Sequence, residues 1–254
     1  MQLELMNKFG IEQAVVFWGG RSDNESVLKA AKAHPGRFIP FVSISPERRT
    51  YRPLWESGDS KALQILEGYL RTGEFRGIGE ISVSHFPARG FPEADFNPTS
   101  DLMRGIMRLA AQHKVPVMIH CEITRLREFS ALLKQFPEVP VIWAHGGYTP
   151  YFLARRMMEE HPNLYYELSA RTWPGHPRSP DYTILQDGAR VWREWLGLVE
   201  EMPGRFLVGT DASHHSRDSE EGKAQSVHRF LAQLSPGARE KVGRQNLLDI
   251  VGRR

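Results

Sequence analysis

Four side chains of the kind that bind divalent ions recur at the same place in a repeating pattern. Glu80, His120, His145 and Asp211 each stand at, or just past, the carboxyl end of a short apolar run: Gly77-Ile-Gly-Glu80, Met118-Ile-His120, Trp143-Ala-His145 and Val208-Gly-Thr-Asp211. Imidazole nitrogen and carboxylate oxygen are the ligands of zinc and related ions, and an ion held with one open position activates water near neutral pH. Taken singly, each residue has a plainer use. A histidine after a strand is more often a hydrogen-bonded structural residue, and an aspartate there often caps the next helix. Glu80 is different, because a carboxylate in so apolar a run needs a cation beside it, metal or arginine. Four such residues in one repeating position favour a shared metal pocket.

Such a pocket requires elements that bring the four run ends together. Seven β-type runs, at residues 13–18, 38–43, 77–83, 115–122, 139–144, 163–169 and 205–210, alternate with helical stretches. Those stretches are 1–10, 25–33, 61–71, 100–113, 125–135, 150–160, 181–201, 220–234 and 236–251, with residues 44–59 and 85–98 read as loops. Strand starts about 25 to 40 residues apart are the rhythm of parallel sheets with helical crossovers. The predicted fold is a single TIM-type (β/α) barrel domain over residues 1–254, with seven of eight strands visible. A doubly wound open sheet also accommodates seven parallel strands, but it would scatter the four residues along a crevice instead of ringing one mouth.

The set Gly-Ile-Gly-Glu80, Ile-His120-Cys-Glu, Ala-His145-Gly-Gly, Tyr-Tyr-Glu-Leu-Ser169 and Val-Gly-Thr-Asp211 resembles the amidohydrolase superfamily, and within it the amidohydrolase-2 group. Val242-Gly-Arg-Gln-Asn246 is similar to the asparagine-bearing helix that closes those domains. The resemblance implies that His120 and His145 bind metal or the substrate carbonyl. It also implies that Asp211 binds metal and takes a proton from the attacking water, and that Glu80 adds a carboxylate seen in TatD-like members. One or two divalent ions, with Zn²⁺ expected, would serve hydrolysis of an amide, ester or lactone. Nonoxidative decarboxylases and hydratases share the fold.

One departure stands out. The family's first strand carries a His-x-His pair, and no His-x-His occurs here; His214-His215 follows Asp211 and cannot replace it. The expectation is that the chain lacks its natural start. The rival is a degenerate barrel that lost the strand and serves as a binding or subunit protein.

Arg171 and His176 in the loop after the run at 163–169, His214 after Asp211, and Trp18 at the end of the first run are candidates for substrate contacts, Arg171 through its planar fork to a carboxylate or phosphate. Cys121 should point away from the site by strand alternation. The 33 basic and 30 acidic residues are scattered, so nucleic acid is not implied. One cysteine excludes an intramolecular disulfide framework and suits a cytoplasmic setting. No apolar run is long enough to span a bilayer. The expected partner is a small-molecule substrate, and an exposed edge beside the missing strand hints at a homo-oligomer.

Overall fold

In a computed structural model, residues 2–18, 23–86, 93–173, 183–212 and 219–252 are described. The strands are β1 (Ala14–Val16), β2 (Phe38–Val42), β3 (Gly77–His85), β4 (Ala94–Asp95), β5 (Val117–Cys121), β6 (Val141–Trp143), β7 (Leu164–Glu167), β8 (Leu185–Gln186), β9 (Arg190–Val191) and β10 (Phe206–Leu207). Eight of them form one sheet: seven in the order β1-β2-β3-β5-β6-β7-β10, with every pair along this path parallel, and β4 paired antiparallel with β3. The order never reverses, so there is no topological switch point of the kind that defines a doubly wound sheet. The chain winds one way, as in a barrel.

Side-chain alternation confirms the curl. Ile39 and Phe41 of β2, Met118 of β5, Ile142 of β6 and Leu207 of β10 meet in one apolar cluster, joined by Ile250 and Val251 of the C-terminal helix Asn246–Val251. Val42, Val117, Ile119, Cys121 and Trp143, from the alternate positions, belong to a second cluster shared with helix residues such as Leu66, Ile106 and Leu132. Side chains of β2 and β10, far apart in the strand order, can share one cluster only if the sheet curls, with one core inside the curl and one beneath the helices. Among the described residues β1 and β10 do not pair with each other, so the sheet is curled but open. The C-terminal helix packs near this end of the sheet: Asn246 Nδ2 donates to the carbonyls of Pro203 and Phe206, each at 2.8 Å.

Local signals set the helices between strands. Ser100 accepts from Met103 N–H and starts the helix Asp101–His113, whose Leu102, Ile106 and Ala110 line its buried face. Ser219 and Ser235 cap later helices in the same way. Two expectations need correction. Residues 44–59 contain a short helix, Arg52–Ser57, begun by a proline in its first turn and anchored by buried Trp55, whose Nε1 donates to Ile44 O at 2.7 Å. Residues 181–201 are not one helix: β8 and β9 form an antiparallel hairpin about Asp187-Gly188, both at positive φ, and the helix is only Arg193–Glu201. Asp-Gly is the turn pair that a two-stranded hairpin favours. Among the described residues no helix is long and apolar enough to cross a membrane.

Candidate metal centre

Glu80 from within β3, which runs on to His85 instead of ending at the carboxylate as expected, His120 near the end of β5 and His145 just past β6 come together, each offering a ligand atom within 4.8 Å of the others. Glu80 Oε1 lies 3.0 Å from His120 Nδ1 and 3.9 Å from His145 Nε2. Burial works to raise the Glu80 carboxyl, but the hydrogen bond with His120 and the charges of His145, His120 and His85 hold it down at about 2. Burial likewise works against a charged His120, and the hydrogen bonds to Glu122 and Glu80 overcome it, lifting the imidazole to about 10. The cluster therefore demands positive charge between its carboxylates, a proton on His120 or an ion in its place. Two imidazoles and a carboxylate at this spacing suit a divalent ion.

His145 is oriented with unusual definition. Its Nδ1 is 2.8 Å from Ser169 Oγ and 3.1 Å from Ser169 O. The carbonyl can only accept, and the hydroxyl has committed its own proton to Glu167 Oε2 at 2.7 Å. Nδ1 must carry a hydrogen, so the neutral ring has its lone pair on Nε2, the nitrogen 3.9 Å from Glu80 Oε1. Glu167 also accepts from the backbone N–H of Ser169 and of His145, while burial pushes its carboxyl up.

The turn that presents His145 is a left-handed run. His145, Gly146, Gly147 and Tyr148 all have φ of 54° or 55°. A Cβ on Gly146 would lie 1.7 Å from Tyr166 Cζ, and one on Gly147 would lie 2.2 Å from Cys121 O, so both positions need glycine for space as well as for conformation. The turn stacks Tyr148 on His145, with ring centroids 5.3 Å apart and planes 16° off parallel, and sets it edge-on to His120. Burial and the charges of Asp211, Glu80 and Glu122 raise the Tyr148 phenol, keeping it a donor.

Asp211 follows β10 with φ of 42°, and its backbone carbonyl accepts from the buried Lys223 Nζ at 2.9 Å. Among the described residues it does not join the three-ligand group, although its charge reaches Tyr148. Arg171 is placed otherwise than its expected substrate role requires. It is buried, its Nη1 donates to Thr149 O, to His145 O and to the Tyr166 hydroxyl, and its guanidinium lies over the Trp195 ring. Nη1 is thereby committed to the fold, while the buried Nε has no hydrogen-bond partner among the described residues. Trp18 is also buried, between Tyr51 and Arg48, with Nε1 donating to Ser43 O. His176 and His214 lie outside the described residues.

Five site residues carried no assigned role in the sequence. Glu122 is two positions after His120, on the same face of an extended chain, and its Oε1 sits 3.3 Å from His120 Nε2. Glu167 at the end of β7 and Ser169 two residues past it share the same alternation, a signal that was present in Tyr-Tyr-Glu-Leu-Ser. Glu47 falls in the stretch read as loop; burial and the Glu80 charge raise its carboxyl, against Ser82, His120 and Arg48. Nothing in composition or spacing marks Tyr148.

The profile of the Amidohydro_2 family, described as amidohydrolase, matches residues 2–252. No curated protein matches the chain. Among solved structures, an uncharacterized TIM-barrel protein from Bordetella bronchiseptica is similar at TM-score 0.71 and 18% identity, over 99% of this chain and 82% of that one. A probable 2-pyrone-4,6-dicarboxylic acid hydrolase from Acinetobacter baumannii with citric acid bound is similar at 0.65 and 11%, over 99% and 87%. A 5-carboxyvanillate decarboxylase from Novosphingobium aromaticivorans, complexed with manganese and a nitrobenzoic acid, is similar at 0.62 and 14%, over 99% and 79%. With a curled, singly wound parallel sheet and a family match over nearly its whole length, the chain belongs to the Amidohydro_2 amidohydrolase family.

Proposed function

We propose that this protein is a metal-dependent hydrolase of a small carbonyl compound, an amide, ester or lactone. The observation that carries the reading is the convergence of Glu80, His120 and His145 from three neighbouring strands, with His145 Nε2 3.9 Å from the Glu80 carboxylate. These three residues would hold the ion, with Zn²⁺ expected. When bound, a divalent ion polarises a carbonyl and lowers the pKa of water.

The chain's own groups supply the rest. Asp211, beside the site but outside the ligand group, is the proposed proton acceptor from water. Tyr148 keeps its phenolic proton and offers it to the developing negative charge on the substrate oxygen. Ser169 and Glu167 keep His145 in one tautomer through the reaction. His176, His214 and Trp18 are proposed to border the substrate.

A nonoxidative decarboxylase is the second reading, favoured by the decarboxylase among the similar folds and by its manganese. The test is to purify the protein, measure bound metal by inductively coupled plasma mass spectrometry, and incubate it with lactones, anilides and hydroxybenzoates. Acid release from a lactone or amide without carbon dioxide supports hydrolysis. Carbon dioxide release from a hydroxybenzoate supports decarboxylation, and neither activity with no uptake of Zn²⁺ or Mn²⁺ sinks the enzyme reading.

A further inference from the structure

His120 meets a carboxylate on each of its nitrogens, Glu80 on Nδ1 at 3.0 Å and Glu122 on Nε2 at 3.3 Å. We propose that Glu122 is a positioning residue for the ion: by accepting the Nε2 proton of His120, it fixes the tautomer whose Nδ1 lone pair faces Glu80. The inference rests on the ion-binding reading above.

A neutral imidazole has one lone pair. Two groups of three therefore compete for this ring, Glu80 with His120 and His145, and His85 with His120 and Glu122. His145 decides between them. Its Nδ1 hydrogen is committed to Ser169, so its Nε2 lone pair looks toward Glu80. An ion in the first group satisfies that lone pair and the Glu80 carboxylate together. An ion in the second group would leave the two facing each other without a cation. The ion accordingly takes Nδ1, and the proton stays on Nε2 with Glu122.

Glu122 is built to hold that proton. Its Oε2 accepts from Phe86 N–H at 3.1 Å, and its own N–H donates to Ser84 O at 3.0 Å, which ties the carboxylate to the end of β3. Ser169 and Glu167 do for His145 what Glu122 does for His120, with the roles of the two ring nitrogens exchanged. A carboxylate on the far nitrogen of a ligating histidine raises its basicity and sets its orientation.

The test is a Co²⁺ titration of the metal-free full chain, followed by visible absorption, for the wild type, Glu122→Gln, Glu122→Leu and His85→Asn. Circular dichroism verifies that each is folded, and if Glu122→Leu does not fold, the equal-sized Glu122→Gln carries the comparison. Glu122→Gln is expected to weaken binding about 10-fold and Glu122→Leu up to about 100-fold, while His85→Asn stays within about twofold of wild type. Wild-type affinity in both folded Glu122 variants overturns the proposal. So does a loss in His85→Asn as large as that in Glu122→Gln, which would assign the ion to the other group. A wild type that takes up no Co²⁺ overturns the ion-binding reading itself, an outcome distinct from the others because it needs no variant.

Discussion

His145 Nε2 stands 3.9 Å from Glu80 Oε1, too far for a hydrogen bond and within the span of two atoms on one ion. Glu80→Gln and His145→Asn should therefore each weaken Zn²⁺ binding by about two orders of magnitude or more, because one of only three ligands is lost. Competition with a chromophoric chelator measures this. Adding Zn²⁺ at about 100 times its Kd should stabilise the wild type by about 2.7 kcal/mol, and neither variant should gain as much at that concentration. Equal stabilisation of all three proteins would remove Glu80 and His145 from the site.

The left-handed run at residues 145–148 leaves no room for a methyl group. Gly146→Ala places a Cβ against the Tyr166 ring and keeps it at φ of 54°, combining a backbone penalty with overpacking. The expected loss is roughly 2 to 4 kcal/mol in urea unfolding. Gly147→Ala meets the rigid Cys121 carbonyl and should lose at least as much. A stable Gly146→Ala protein with unchanged Zn²⁺ affinity would show that the turn does not position His145.

Arg171 looks like a substrate contact in the sequence and is a structural clamp in the fold. Its guanidinium joins the β6 turn, through the carbonyls of His145 and Thr149, to Tyr166 on β7. Arg171→Ala strands buried acceptors and empties the space over Trp195, so a loss of roughly 3 kcal/mol or more is expected. Thermal and urea unfolding test this directly. An Arg171→Ala protein of wild-type stability would return the residue to the substrate.

These residues show where sequence reading works and where it stops. Strand positions were legible because apolar runs ending in turn residues depend on local pattern, and all seven predicted parallel strands are present, six of them trimmed at their ends and β3 extended to His85. Glu80, His120 and His145 were legible because a polar side chain in or just past a buried apolar run stands out against its neighbours, although β3 continues beyond Glu80 to His85. Asp211 carried the same signal, yet among the described residues the structure leaves it outside the ligand group, since a shared strand-end position does not determine how far a side chain reaches after a left-handed residue. The structural contacts of Arg171 were not legible, because its partners are two backbone carbonyls and a phenol on other elements, which have no signature in sequence. The hairpin at 185–191 was hidden by apolar residues that also fit a helical period, although Asp187-Gly188 marked its turn.

His161 offers a pH test away from the metal centre. It is buried after the helix Tyr151–Glu160, with Nε2 at 2.8 Å from Ser130 Oγ. Burial first, then the positive charges of Lys134 and Arg205, lower its pKa against the opposing charge of Glu160. The unfolded chain then binds the His161 proton more readily than the folded one as pH falls through about 6.5, so this residue contributes full stability above that value and loses it below. For one proton the slope cannot exceed about 1.4 kcal/mol per pH unit. Urea unfolding of wild type and His161→Gln between pH 7.5 and about 5 should show the wild type losing more stability on acidification than the variant. Parallel curves would mean that His161 keeps its unfolded pKa in the fold, and that the hydrogen bond with Ser130 survives protonation.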